Sequence, residues 1–503
     1  MLALWNSALR TLFGGFRGAG LFNRGQKNQT NLFISAPSAS SVRDQNYQRA
    51  RAIEESRREQ NMQKDPVYDI LVHNGTVLTV NADFDILNRG LVCIADGSLK
   101  RIEDRASDEP LPEARHVIDA CGGIIMPGLV NTHTHAAMSL FRGLADDLPL
   151  TIWLNDYIFK AEAQWLNPER VFAGTLLSCA EMLLSGTTTF CDGYFFEDTV
   201  AAAVQESGMR AILAQGIVDF PAPGVPDPKK NVAEAVRFIE RWNGKSPLIT
   251  PGLFCHSPYT CSEKTLKEAR QVADEAGCLF QIHVAETQKE VKEIQQRQGA
   301  SPVQYLDRIG VLNARTLLVH AIWVNEADIA CMARHRVGVS VATESEMKLA
   351  SGVAPIPEFL KKELAVGIGT DGSASNNNLD MFQEMDTAAK LHKVKRLDPT
   401  VLDARQVLAL ATRSGAKAIG LGERIGSLEK GKKADLIIID THKPHMTPLY
   451  DPVSHLVYAA SGSDVRDVVI DGRLVVQDRA LLTFRLEPIL DSVADLARKI
   501  ASY

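Results

Sequence analysis

From Tyr68 onward the apolar positions fall into two textures. Near both ends of that stretch they form short β-rich runs: YDILVHNGTVLTV, GLVCIADGSLKRIED and HVIDACGGIIMPG early, IGSLEKGKKADLIIID and VRDVVIDGRLVVQD late. Glycine or Asn-Gly punctuates these runs, which predicts strands joined by hairpins. Between them, apolar runs alternate with helical segments such as 168–184, 263–276 and 401–419. That alternation is the mark of parallel βα units.

Eight apolar runs fall in the middle stretch. They are IIMPGLVNTHTH (124–135), TTTFCDGY (187–194), RAILAQGI (210–217), LITPGLFCHSPY (248–259), LFQIHVAE (279–286), TLLVHAIW (316–323), VGVSVATE (337–344) and AVGIGTDG (365–372). Eight βα repeats predict an α/β fold with a closed (β/α)8 TIM-type barrel more than an open sheet. The flanking strands would pair with each other in a small β-sandwich domain built from both chain ends. The expected divisions are 67–127 for its N-terminal part, 128–423 for the barrel, 424–484 for its C-terminal part and 485–503 for a C-terminal helix.

Residues 1–66 are different. Arg10, Arg17 and Arg24 precede the first acidic residue, Asp44, and Leu2, Trp5, Leu9, Leu12, Phe13 and Phe16 fall near helical spacing. An Arg-rich, acid-poor amphipathic start resembles an organelle transit peptide, and a disordered tail is the alternative.

Composition narrows the partners. The 503 residues carry a net charge of −6, with no basic surplus to release counterions from a nucleic-acid backbone. Eight scattered cysteines without a CxxC pair suit buried thiols in a reducing compartment. No apolar run reaches the roughly 18 residues of a membrane span. The expectation is a cytoplasmic homo-oligomer, or an organellar one if residues 1–66 direct it there. Its partner is a small molecule, with neither nucleic acid nor membrane.

The chemistry gathers at one end of the strands. His133, His135, His256, His283, His320 and Asp371 all sit at the C-terminal ends of runs, where such barrels build their sites. Five of only 12 histidines occupy these positions, which chance does not readily explain. His133 and His135 form an HxH pair, and residues i and i+2 of a strand face the same way. His283 adds a third nitrogen, Asp371 a carboxylate, and the four read as ligands of one divalent ion. Glu286, three residues beyond His283, suits proton shuttling beside such an ion. His320 reads as a further ligand or as a group orienting the water. The fourth run has no lysine to be carboxylated as a bridge between two ions, so one metal is expected, with water as its remaining ligand.

The segments PGLVNTHTHAAMSLFRGLADDLPL, HVAETQKEV, LLVHAIWVNEADI, KLASGVAP and GIGTDGSASNNNLDMFQEM resemble the amidohydrolase superfamily. Within it they look closest to the 5-methylthioadenosine/S-adenosylhomocysteine deaminases, with the chlorotriazine hydrolases as near relatives. The resemblance spans about residues 68–480. It implies one Zn2+ per subunit on His133, His135, His283 and Asp371, with Fe2+ or Mn2+ as alternatives. It implies substrate contacts from Glu162 and His256, besides Glu286 and Asp371, and catalysis by Glu286, His320 and Asp371. The implied reaction is hydrolytic deamination of an adenine nucleoside (5′-methylthioadenosine, S-adenosylhomocysteine, 5′-deoxyadenosine or adenosine) to its inosine analogue. Hydrolysis of a chlorotriazine or a guanine-type base, or a non-catalytic barrel scaffold, are the rival readings. Two departures bear on the substrate. VATESE (341–346) stands where the family has a segment like HCPESN, leaving Glu344 and Glu346. Gln215 stands where members that bind the homocysteine carboxylate have an arginine, so Lys229 or Lys230 would have to supply that charge.

Overall fold

The computed structural model describes residues 67–106 and 109–501; the expected N-terminal extension lies outside them. Eight parallel strands follow one another in chain order around a barrel. They are β1 (Leu129–Thr134), β2 (Thr187–Tyr194), β3 (Arg210–Ile217), β4 (Ile249–Cys255), β5 (Phe280–Val284), β6 (Thr316–His320), β7 (Gly338–Val341) and β8 (Ala365–Ile368). Each of the eight expected runs contains one of these strands. Most strands end earlier than the runs, so the polar residues that close each run lie at or just beyond a strand tip.

The first run is not one strand but two. Ile124–Pro127 belongs to the small domain, where it pairs antiparallel with Leu436–Ile439. β1 begins after Gly128, at which a Cβ would lie 2.1 Å from the side chain of Thr188. Only glycine passes so close to β2. The pairing of 124–127 with 436–439 joins the two chain ends in one nine-stranded sheet, as the small-domain expectation required.

Two local expectations need correction. Asn74-Gly75 is not a hairpin turn: both residues lie inside the strand Tyr68–Leu78, with Asn74 at φ 59° and a register shift beside it. The bulge lets Asn74 O accept from Gly122 N at 2.7 Å. The dipeptides Asp96-Gly97 and Asp471-Gly472 do turn hairpins, with positive φ at both positions as such turns demand. The helix expected over 401–419 is two helices, Ala404–Leu410 and Arg413–Ala418. It breaks where Val130 N of β1 takes the carbonyl of Ala411 at 2.8 Å. By contrast Pro168–Leu184 and Glu263–Ala276 match their expected bounds, started by Asn167 and Ser262 accepting from backbone N–H groups.

Barrel and small domain are pinned at the end opposite the site. Arg210, the first residue of β3, is 2% exposed. Its Nε donates to Asp435 Oδ2 at 2.6 Å and its Nη2 to Asp435 Oδ1 at 3.0 Å. Nη1 donates to Pro247 O at 2.8 Å, and Asp471 Oδ1 lies 3.3 Å from Nη2. A fork this well satisfied tolerates burial, whereas half of it does not. Arg210→Met strands Asp435 as a buried charge and should cost about 3–5 kcal/mol in urea unfolding. Replacing both partners with apolar residues should recover most of that loss.

Candidate active site

The site depends on where the last strand meets the first. Asn131 of β1 donates from Nδ2 to Thr370 Oγ1 at 2.8 Å and accepts from Thr370 N at 3.1 Å. Asp371 N donates to His133 O at 3.0 Å. Gly369 permits this approach, since a Cβ there would lie 2.6 Å from His133 N. The HxH pair and Asp371, far apart in sequence, are thereby brought side by side.

His133 Nε2 lies 3.1 Å from His283 Nε2, and one nitrogen from each of His133, His135 and His283 falls within 4.8 Å of the others. Asp371 Oδ1 lies 3.5 Å from His135 Nε2 and 3.7 Å from His133 Nε2. His135 Nδ1 donates to Gly193 O at 2.7 Å, which leaves Nε2 as the lone-pair donor. Asp371 accepts from Gly372 N on Oδ1 at 2.7 Å, and from Ser345 and Ser375 hydroxyls on Oδ2 at 2.7 and 3.1 Å.

Burial pushes His133 and His283 well below the ordinary histidine value and lowers His135. Burial would raise Asp371, but His135, His133 and His320 outweigh it and bring its carboxyl down to about 2. Three neutral imidazoles and one carboxylate suit a divalent cation. Two facing Nε2 atoms 3.1 Å apart can share one hydrogen, or can both turn their lone pairs to a cation between them.

Glu286 lies just past β5, its Oε2 4.0 Å from His320 Nε2 and its Oε1 3.4 Å from Ser351 Oγ. Burial raises its carboxyl. Glu290 holds this turn by accepting from Ala285 N and Glu286 N at 2.9 and 2.8 Å. His320 ends β6 at φ 70°, its ring 5.2 Å from that of His283, with Nδ1 3.3 Å from Glu346 Oε1. Burial would lower His320, but Glu286, Glu346 and Asp371 together push it up to about 9.

A cavity opens over this cluster. It is lined by Glu162, His256, Glu286, His320 and Asp371, and by apolar walls including Trp153, Phe159 and Phe220. Glu162 sits in the helix Phe159–Trp165, 4% exposed, where Oε1 accepts from Tyr194 Oη at 2.5 Å. Burial pushes its carboxyl up to about 7. His256 follows β4, its ring 5.2 Å from that of His283 and its Nδ1 3.0 Å from Thr260 Oγ1. Gln215 does not line this cavity; it is buried and accepts from Glu197 N at 3.4 Å. Lys229 and Lys230 lie in a short 3-10 turn, and neither lines the cavity.

All the expected site residues therefore meet at one end of the barrel. Sequence reasoning missed Tyr194, Ser345, Ser375, Glu290 and the role of Glu346. The departure at VATESE marked the segment carrying two of these, Ser345 and Glu346, without showing what they hold.

Residues 124–475 match the model of the amidohydrolase family, well over half of the chain. The chain belongs to that family. This amidohydrolase is 46% identical to a 5-methylthioadenosine/S-adenosylhomocysteine deaminase of Syntrophobacter fumaroxidans, over 86% of the chain and 98% of the relative. It is 47% identical to a 5′-deoxyadenosine deaminase of Methanothermobacter thermautotrophicus, over 78% and 91%. A solved adenosine deaminase from Xanthomonas campestris with bound zinc superposes with TM-score 0.85 at 36% identity, covering 87% of the chain and all of that structure. The amidohydrolase is a hydrolytic enzyme, which sets aside the scaffold reading.

Burial brings His256 down to about 4, from 6.5 when free. Its neutral form is therefore favoured by folding, and its contribution is complete above pH 6.5. As pH falls from 6.5 toward 4, the unfolded chain takes up this proton first and stability drops, by roughly 3 kcal/mol at the limit. His256→Gln should make the decline of urea-unfolding stability over that pH range shallower than in the wild type.

Proposed function

We propose that this amidohydrolase deaminates an adenine nucleoside to its inosine analogue and ammonia, using one zinc ion per chain. The observation that carries this reading is a single cavity in which the His–Asp cluster and Glu286 are joined by a buried acid, Glu162. The names of its nucleoside-deaminating relatives and the zinc in the related adenosine deaminase support it.

Glu162 and His256 suit the sugar. Tyr194 engages Oε1 of Glu162 and leaves Oε2 to accept from a ribose hydroxyl. A carboxyl pushed up to about 7 gains most from such donors, because they favour its ionised form. His256, kept neutral by burial, can pair with a sugar oxygen without bringing charge.

His133, His135, His283 and Asp371 would hold the ion. When bound, it lowers the pKa of a water molecule to about 7 and supplies a Lewis acid. Asp371 and His320, which line the cavity beside that cluster, would take up the proton of the attacking water. Glu286, its carboxyl raised by burial, would deliver a proton to N1 of the purine, so that charge does not build up in the ring as C6 is attacked. The proton removed from water then goes to the departing amine, since an unprotonated amino group leaves poorly. Water supplies the new oxygen, the remaining hydroxyl proton returns to Glu286 as C6=O forms, the ring keeps the N1 hydrogen, and ammonia is released.

The zinc-loaded protein should release ammonia from 5′-methylthioadenosine, 5′-deoxyadenosine or adenosine in a coupled assay. No turnover of any adenine nucleoside would sink the reading. Glu162→Gln should lower nucleoside kcat/KM by about 100-fold, the scale of a buried charged hydrogen bond. It should leave the free base nearly unaffected, and equal loss on both would remove the ribose assignment. Elemental analysis should give near one zinc per chain, lost in His283→Ala.

A further inference from the structure

The short helix Thr343–Lys348 carries two adjacent residues that grip different catalytic groups. Ser345 donates to Asp371 Oδ2 at 2.7 Å, and Glu346 Oε1 lies 3.3 Å from His320 Nδ1. Glu346 is 2% exposed. Its Oε1 also accepts from Ala342 N at 3.1 Å, which ties the carboxylate to the turn entering its own helix. Glu344, two residues earlier, points elsewhere and accepts from Thr387 Oγ1 and Asn378 Nδ2 at 2.8 and 3.0 Å. The two acids of VATESE therefore have separate jobs.

His320 needs an external hold. Both His320 and Ala321 have left-handed backbones, at φ 70° and 48°, which non-glycine residues adopt only when their surroundings impose it. Its ring stacks on His283, and Nε2 faces Glu286 at 4.0 Å. An imidazole in that slot has two choices, because either nitrogen can carry the hydrogen. A carboxylate can only accept. In the neutral ring, which a cation in the adjoining His–Asp cluster favours over the imidazolium, Glu346 on Nδ1 therefore keeps the hydrogen there and leaves the Nε2 lone pair toward Glu286 and that cluster.

We propose that Glu346 is a positioning residue that fixes the tautomer and ring orientation of His320 for the deamination. The proposal rests on the deaminase reading for its kinetic consequence, while its structural consequence is measurable without turnover. Glu346→Ala frees the ring to rotate and to exchange tautomers. Glu346→Gln keeps an accepting oxygen at the same reach, although its amide can also turn a donor toward the ring.

The test uses the zinc-loaded full chain with 15N-labelled histidine, His320→Gln serving to assign the resonance. Long-range 15N–1H spectra should show His320 as the Nδ1–H tautomer in the wild type and a mixed or Nε2–H form in Glu346→Ala. With the nucleoside turned over best, Glu346→Ala should lose about 10- to 100-fold in kcat, the usual scale for removing a partner of a site histidine. KM should stay within about twofold and zinc content should be unchanged. Glu346→Gln should recover the Nδ1–H form and lie above Glu346→Ala in kcat. Glu344→Gln should match the wild type in both readouts. An unaltered tautomer in Glu346→Ala, or a kcat within about twofold of wild type, would overturn the proposal. So would a loss accompanied by loss of zinc, or Glu346→Gln no better than Glu346→Ala. If the wild type turns over no nucleoside, the function fails on its own, and the tautomer still decides the role of Glu346.

Discussion

Everything in the site hangs on the closure of the barrel between β1 and β8. The segment from Asn131 to His135 brings two imidazoles, and the segment from Gly369 to Gly372 brings the carboxylate that lies against them. Their contact is made through backbone as much as side chain: Asp371 N on His133 O, Thr370 N on Asn131 Oδ1. The seam is tight enough that no Cβ fits at Gly369. Closure also stabilises backbones that would otherwise relax. Ala285, His320, Ala321 and Asp371 all have positive φ, at a cost of order 1–3 kcal/mol each. Each sits at or beyond a strand tip, where hydrogen bonds from neighbouring segments hold it. Asp371 is held through His133, and Ala285 through Glu290 and Trp323 N.

The same burial sets the charges. Removing water from the barrel mouth disfavours every ionised form, so His133, His135 and His283 become neutral donors while Glu162 and Glu286 hold their protons more tightly. Asp371 escapes this trend because the histidines around it and the Ser345 hydroxyl favour its ionised form. Burial and the neighbours of each group together sort the carboxyl groups into one ionised group and raised acids, a separation of roles that acid–base catalysis requires. Positions, not residue types, decide which is which.

This explains what the sequence could reveal. Strand positions were legible because fully buried parallel strands read as continuous apolar runs, and helices began at recognisable caps such as Asn167 and Ser262. The residues proposed to hold the metal could be picked out because they stand at or just beyond those strand tips. Strand division at Gly128, the bulge at Asn74 and the helix break at Ala411 were not, since each answers to a neighbour distant in sequence. Tyr194 reads as the last apolar residue of β2, and its hydroxyl acquires meaning only where the helix Phe159–Trp165 brings Glu162 to it. Ser345 and Glu346 were hidden for the same reason: their partners, Asp371 and His320, stand at or beyond strand tips distant in sequence.

The open end of the cavity bears on the substrate's tail. Among the described residues the cavity's lining includes no lysine or arginine, and its walls are largely aromatic and aliphatic. A methylthio or methyl group buries there with the usual gain of about 25 cal/mol per Å2 of apolar surface. A homocysteine tail would carry two charges past the same walls, where desolvation without a partner is unfavourable. Lys289, whose Nζ lies 3.5 Å from the Thr151 hydroxyl, is exposed and stands beside Leu150 of the lining. An ion pair there would be screened by water and contribute about 0–1 kcal/mol, too little to offset the loss. Among the described residues, such a wall would receive an uncharged 5′ substituent more readily than a zwitterionic one, independent of Gln215.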